Sequence, residues 1–458
     1  MSQKTILIIG IVVVILALAA LVQISQTPKP TQTPTPTVTT PTPTPTVTPT
    51  PTPVSKCPDE VIIGTAMPIS GRYAAEGQYS LWGALAVVNW FNDRGGLDCG
   101  GKKVKIRLVY KDSESKLELA QSLTESLVTR DKVHFLLSPY GSDLAIGASP
   151  IAEKYGVLMA VVGAASDRIF QQGFRYVIGV AAVASQYMHS VLDMAKAVDP
   201  GVKTVAILYR DSEFNRMVAE GAKKYAEKLG LQVVVYEVYP ATPKDLTPQI
   251  LKVKAANPDI IIVASHFADG QLAVQQLAEQ KVDAKLVALS VAPLVPEFYT
   301  TLKSLAECVV GPSHWEPAVR YTPELAKQKG MEWFGPTRGE FIEYFKKVAR
   351  ELGGKEVEPG YHAAWAAEGV LAILYGVYKA ADINADKVLA ELEKARFMTF
   401  FGEFKLDPAT RVNIAHSMVV TQWQGGARVT IWPSEVADGR PRYPSLTWGE
   451  KEAGKVCS

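Results

Sequence analysis

VHFLLSPYGSDLAIGASPIAEKYGVLMAVV, residues 133–162, reads as a strand, a turn, a helix and a second strand. The run VHFLLS (133–138) has no polar alternation, so both faces of that strand must be covered. Tyr140, Gly141 and Ser142 form the turn, and Ser142 or Asp143 can cap a helix over 143–155. GVLMAVV (156–162) is the next apolar run. Strand–helix alternation of this kind predicts parallel strands, because right-handed crossovers place helices on the faces of the sheet. The same rhythm extends upstream: VIIGTAM (61–67) is a strand, a helix runs from about Glu76 to Asp93, VKIRLVY (104–110) is a strand, and a helix runs from Glu118 to Thr129. Downstream it restarts with TVAILY (204–209), VVVYEV (233–238), DIIIVAS (259–265) and KLVALS (285–290), alternating with helices near 214–229, 245–256 and 267–280. Two doubly wound units have their strand C-termini at crevices and, facing each other, enclose a cleft. Beyond about 310 the chain reads as mostly helical, through 341–353 and 361–381, and ends in short strands such as MVVTQW (418–423) and ARVTIW (427–432).

The chain has 458 residues, 47% hydrophobic and 21% charged, with a formal net charge of +2. That length accommodates two domains, and the charge is without a Lys/Arg block that would suggest nucleic acid. The first residues say more. TILIIGIVVVILALAALV (5–22) is an uncharged apolar run. At about 1.5 Å per residue it spans about 28 Å, the thickness of a hydrocarbon core. We read residues 1–26 as a transmembrane anchor, with a cleaved signal peptide as the alternative. Both export the rest of the chain. No Cys follows the run, so nothing supports lipidation. Residues 27–55 are almost only Thr and Pro. Proline fixes φ and lacks a donor, so this tract forms neither helix nor sheet and favours an extended stalk, reaching about 80 Å if straight. The composition also suits O-glycosylation.

Four blocks resemble the leucine/isoleucine/valine-binding family of type I periplasmic binding proteins. They are IGTAMPISGRYAAEGQYSLWGALAVVNWFNDRGGL (63–97), FLLSPYGSDLAIGASPIAEKYGVLMAVVGAAS (135–166), AILYRDSEFNRMVAEGAKKYAEKLG (206–230) and FFGEFKLDPATRVNIAHSMVVTQWQ (400–424). Each is weak alone, but they occur in the family's order and spacing. The resemblance implies an α/β fold of two parallel-sheet lobes, 56–180 with 315–405 and 181–314 with 406–458. Three crossings join them, near 175–180, 308–314 and 405–418. It implies a solute-binding subunit of an ABC importer that closes on a small ligand and passes it to permease subunits, with no cofactor and no catalysis.

The resemblance also marks a site where the strand ends of the two lobes meet. Ser70, Tyr73 and Glu76 follow the first strand; the family often has an aromatic near Glu76, so a carboxylate there is a departure. Tyr140, Gly141 and Ser142 match a stretch that binds a ligand carboxylate through backbone N–H groups and a hydroxyl, at a helix N-terminus that favours negative charge. Ala164, Ala165 and Ser166 match the stretch after the next strand, with the hydroxyl shifted by one place. From the second lobe come Tyr187, Phe214, His266 and Phe267. Ser290 and Val291 fall where amino-acid binders carry an acid for the ligand ammonium. Without it a buried ammonium is costly, and only Glu76 or Asp211 offers compensation. The resemblance thus implies a carboxylate-bearing ligand, branched-chain amino acid-like or an aromatic or organic acid.

The four cysteines do not make a disulfide scaffold, yet Cys57 and Cys99 precede neighbouring strands of this sheet type and a bridge between them is expected outside the cytoplasm. A Cys308–Cys457 pairing stays open. The six histidines show no zinc spacing, and neither a nucleophile elbow nor a phosphate loop is present. Trp315, Trp333 and Trp365 read as packing residues. A receptor ectodomain would share this fold, and an extracellular enzyme would need a catalytic constellation that the sequence does not show.

Overall fold

The computed structural model describes residues 57–457, apart from Pro296 and Lys355. The anchor and the Thr/Pro stalk expected over 1–55 lie outside the described residues. Among the described residues no helix is long and apolar enough to cross a membrane.

The first sheet holds β1 (Glu60–Thr65), β2 (Leu97–Cys99), β3 (Lys102–Tyr110), β4 (Phe135–Leu137), β5 (Met159–Val161) and β6 (Val177–Gly179) in the order β2-β3-β1-β4-β5-β6. All neighbours run parallel except β2 and β3. The second sheet contains β7 (Thr204–Arg210), β8 (Gln232–Tyr239), β9 (Ile260–Ala264), β10 (Leu286–Leu289) and β11 (Val310–Ser313) as parallel strands. Between β11 and the C-terminus lie β12 (Glu332–Trp333), β13 (Phe397–Thr399), β14 (Gly402–Phe404), β15 (Val419–Gln424) and β16 (Ala427–Trp432). Antiparallel β15 and β16 complete the second sheet, in the order β16-β15-β11-β10-β9-β7-β8. β12, β13 and β14 form a small separate sheet inside the region read from sequence as mostly helical. Those strands are two or three residues long, too short to carry a periodic signal.

The apolar runs behave as their composition requires. All residues of β4, β5, β9 and β10 are buried, whereas β3 alternates buried Val104, Ile106 and Leu108 with exposed Lys103, Lys105 and Arg107. Helix Tyr361–Ala380 is buried without a break from Ala363 to Val377 and lies against the first sheet, where Gly369 leaves room for Val162 and Leu137. It also crosses helix Ala74–Asp93 so closely that a Cβ on Gly83 would stand 2.0 Å from the Ala363 carbonyl oxygen.

In both sheets the direction of strand succession reverses, between β1 and β4 in the first and between β7 and β9 in the second. Crevices open at the strand C-termini beside such reversals. The sheets are tied by segments expected from sequence as crossings. Two of these are themselves strands, since 175–180 contains β6 and 308–314 contains β11. Gly179 of β6 bridges Val412, and Asn413 ties two of the crossing segments together: its amide donates to the carbonyls of Val180 (3.1 Å) and Glu403 (3.0 Å). β11 pairs with β15 just past this point.

Cys57 and Cys99 are joined, with Cα atoms 6.2 Å apart. Cys308 and Cys457 are also joined, at 5.4 Å, pinning the C-terminal tail to the start of β11.

Candidate functional site

The turn after β1 is organised by Asp112. Its Oδ1 accepts from the N–H groups of Ile69 (3.1 Å), Ser70 (3.2 Å) and Glu114 (2.8 Å); against the opposing effect of burial, the Ser70 side chain and these N–H groups hold the carboxyl below its usual range. The Ser70 carbonyl accepts from Ser115, so this turn is built as a rigid unit. It places Tyr73 at the head of helix Ala74–Asp93, where its hydroxyl donates to Asp143 (3.1 Å) and its ring meets Tyr140 edge-on at 5.6 Å.

After β4, Gly141 has φ +98°, and its N–H donates to the Gly163 carbonyl at 3.0 Å. A Cβ there would stand 2.9 Å from the Tyr73 ring. A side chain at this position would therefore be strained and crowded. Ser142 opens helix Ser142–Tyr155, and its Oγ accepts from the N–H groups of Ala165 and Ser166, both at 3.2 Å. These three residues thus bind one another, and with buried Ala164 they form one wall. Ser166 uses its own hydroxyl to accept from Arg168 N.

Tyr140 begins a continuous row of rings. Its Oη lies 3.3 Å from His362 Nε2. Tyr361 packs on His362 at 3.8 Å, His314 follows at 5.9 Å, Tyr187 at 5.2 Å, Phe214 at 5.1 Å and His266 at 5.5 Å. The row starts at the reversal of the first sheet and ends at that of the second. Tyr187 Oη is 3.0 Å from His314 Nε2, and His314 Nδ1 is 3.3 Å from His416 Nε2. Burial pushes His362 and His416 down to about 3 and His314 well below its usual value, so all three are neutral near pH 7. Burial likewise pushes the Tyr140 and Tyr187 phenols up, with nearby negative charge adding to the Tyr140 shift.

Three second-sheet residues take different places. His266 and Phe214 join the row, whereas Phe267 packs into the core on the other face of the second sheet. Ser290 is fully buried and zips β9 to β10: it donates to the Ser265 carbonyl (2.7 Å) and accepts from Ser265 N (2.9 Å). Asp211 is ion-paired with Arg216 at 2.5 Å. Around the ends of β7 and β9, Arg210 Nε, Asn215 Nδ2, Ser265 Oγ and His266 Nδ1 are buried without a hydrogen-bond partner among the described residues. Such groups are satisfied by water or by a ligand. A cavity of about 620 Å³ lies between Asp167 and Ser185 on one side and Met217 and Tyr225 on the other, and none of the ring-row residues lines it.

The sequence reading missed Tyr361, His362 and His314. The signal was YHAAW (361–365), two rings opening a stretch that was read only as a helix. Trp365 does pack, 4.2 Å from His314, and Trp315 and Trp333 donate their indole N–H groups to the carbonyls of Phe400 and Gly335.

The sequence profile of the periplasmic binding protein family matches residues 60–427. The chain belongs to that family. As a periplasmic binding protein it has the solute-binding role expected from the sequence, and the family works outside the cytoplasm, where its two disulfides are stable. A Leu/Ile/Val-binding protein homolog from Brucella abortus is 25% identical over 398 residues, covering 84% of this chain and 94% of the relative. Two solved structures share the fold. One is the substrate-binding protein of a branched-chain amino acid transporter from Streptococcus pneumoniae in complex with isoleucine (20% identity, TM-score 0.60, 85% of this chain and 99% of the other). The other is the solute-binding protein of an ABC transporter from Rhodopseudomonas palustris in complex with 3,4-dihydroxybenzoic acid (19% identity, TM-score 0.62, 85% and 97%).

Proposed function

We propose that this periplasmic binding protein captures a small carboxylate-bearing solute, apolar or aromatic in its body, and delivers it to the permease subunits of an ABC importer. The observation that carries this reading is the ring row from Tyr140 to Phe214, which joins the strand ends of both sheets. A solute lying on it touches both halves at once and so favours the closed over the open arrangement. The lobes of this proposal are 56–180 with 315–405 and 181–314 with 406–458, with Asn413 among the hinge residues. Isoleucine and a dihydroxybenzoate, bound by two proteins of the same fold, are both carboxylates with apolar bodies. The solute carboxylate goes to the N-terminus of helix Ser142–Tyr155, where the first N–H groups of a helix favour an anion. The rings lie about neutral histidines and phenols, an arrangement for holding a solute rather than for altering it. Residues 1–26 would hold the protein at the outer face of the membrane, and 27–55 would space it from the surface.

The test is a thermal-shift screen of the full chain against leucine, isoleucine, 4-hydroxybenzoate and 3,4-dihydroxybenzoate. A solute at about 100 times its Kd adds about 2.7 kcal/mol to the folded state and raises Tm. Replacing Tyr140 and Phe214 together by alanine should abolish the rise. A rise that survives that double replacement would place the solute elsewhere.

A further inference from the structure

The backbone contacts that tie the three crossings leave a gap between them. Gly179 of β6 bridges Val412, and β15 pairs with β11 from Val419 onward, so residues 414–418 of the third crossing belong to no strand. His416 stands in that gap. It is buried, its ring stacks on Phe401 at 4.4 Å, and its Nε2 lies 3.3 Å from Nδ1 of His314, the last residue of the second crossing. His314 Nε2 lies 3.0 Å from Oη of Tyr187, which ends the short helix Ala184–Gln186 that follows the first crossing. Two histidines and one phenol thus join all three crossings through side chains.

The hydrogens of this chain have one favoured arrangement. His416 Nδ1 is buried without a hydrogen-bond partner among the described residues. A bare nitrogen is better tolerated there than an N–H, because orphaned buried donors are the rarer case. The hydrogen of His416 is therefore on Nε2 and is donated to His314 Nδ1. His314 in turn carries its hydrogen on Nε2 and donates it to Tyr187 Oη. An extra proton has no good place. On His416 Nδ1 it is buried without an acceptor, and on His314 Nδ1 it faces the Nε2–H of His416.

The surroundings offer such a proton no direct counter-charge. The titratable neighbours of the pair are His362, Tyr187 and Tyr361, with Tyr321 across Gly402 from His416. The carboxylates act one layer further out, Glu76 and Glu316 on Tyr361, and Glu435 and Glu403 on Tyr321. Of these, Glu316 is ion-paired with Arg428, and Glu403 with Lys329 and Arg396. Burial pushes His416 down to about 3, and burial with the neighbouring His416 and His362 pushes His314 well below its usual value.

We propose that His314 and His416 form a hydrogen-bonded clasp that holds the three crossings in one arrangement while the pair is neutral, and that acid opens it. The proposal concerns the joint between the lobes and not the identity of the solute. Parted crossings expose both imidazoles to water, where each takes up a proton below about 6.5. The clasped arrangement refuses those protons. Each histidine therefore makes opening about tenfold easier per pH unit from 6.5 down towards its buried value, and adds nothing above 6.5. His416 is a positioning residue here: it acts on the ring row through His314.

The experiment is hydrogen exchange of the solute-free full chain, read by mass spectrometry at pH 7 and pH 5 and corrected for intrinsic exchange rates. The N–H groups of Gly179 and Asn413 donate to the carbonyls of Arg411 and Gly179, so peptides within 175–187 and 405–418 report on the crossings. A peptide covering β9 is the reference. In wild type, protection of the crossings should fall about tenfold or more between pH 7 and pH 5, with β9 unchanged. His416→Phe keeps a ring against Phe401 but has no donor, and should lose about fivefold in protection of the crossings at pH 7. His416→Gln offers an amide N–H in place of Nε2 and does not titrate. It should keep wild-type protection at pH 7 and lose about half as much in acid, counted in powers of ten, because only His314 then titrates. Unchanged protection of the crossings in His416→Phe, or wild-type acid dependence in His416→Gln, overturns the proposal. So does a loss that is equal in β9, since the histidines would then serve general stability and not the joint.

Discussion

Asn413 is 1% exposed and makes four hydrogen bonds, all to backbone. Its amide donates to the carbonyls of Val180 and Glu403, and its carbonyl oxygen accepts from the N–H groups of Lys405 and Ala415, both at 3.0 Å. One side chain thus fixes the end of the segment leaving β6 to both sides of the segment around 405–418. Asn413→Ala leaves four backbone groups without these partners at a place shielded from water. At roughly 1 kcal/mol per net hydrogen bond the loss is about 4 kcal/mol, and it grows if no water enters. That is a large part of the 5–15 kcal/mol typical of a folded domain. Equilibrium urea unfolding of wild type and variant gives the difference from the midpoint at constant slope. Asn413→Asp keeps both accepting contacts but sets a carboxylate against the Val180 and Glu403 carbonyls, so it should be no more stable than the alanine variant. A loss under about 1 kcal/mol for Asn413→Ala would show that the crossings are held by other contacts.

Further outcomes follow from the same structure. Glu368 is 1% exposed, accepts from Thr399 Oγ1 at 2.6 Å, and burial pushes its carboxyl up to about 8. Folded protein then keeps a proton that the unfolded chain sheds above about 4.3, so stability from this group falls by up to about 1.4 kcal/mol per pH unit between those values and is flat beyond them. Glu368→Gln should remove that fall, read as the wild type–variant difference in urea unfolding between pH 5 and pH 8; parallel curves would mean Glu368 is ionised in the fold. The buried neutral histidines act oppositely, because His362 and His416 sit near 3 and their contribution is lost as pH drops through 6.5 towards that value; this acid-side loss should persist in Glu368→Gln. Ser142→Ala removes the acceptor of the Ala165 and Ser166 N–H groups and should cost about 2 kcal/mol or more, measured the same way, whereas an unchanged midpoint would mean that water replaces the hydroxyl without loss.

The doubly wound plan was legible because β4, β5, β9 and β10 are continuous apolar runs separated by helices, and that pattern has few alternative folds. The short strands β2, β12, β13 and β14 were not legible, since their pairing is set by neighbours distant in sequence. At the proposed site, Tyr140 and Gly141 in the turn after β4 and Phe214 at the start of helix Glu213–Lys228 were picked out through the family resemblance. Tyr361, His362 and His314 were not. They arrive from a helix and a crossing segment whose distance from the cleft exists only in the folded chain. Ser290 illustrates the converse: its place after β10 fits a ligand contact, but both its donor and its acceptor are used to join two strands. Asn413 carried no sequence signal at all, because a hydrogen-bonding hub is visible only through its partners.

The central claim is that two hinged halves close on one solute. Lys116 and Lys244 are exposed in loops that follow β3 and β8, one on each sheet. Spin labels at Lys116→Cys and Lys244→Cys in the full chain report the distance between the sheets by dipolar spectroscopy. On saturation with the solute that raises Tm most, that distance should shorten and its distribution narrow; the same distribution with and without bound solute would contradict closure.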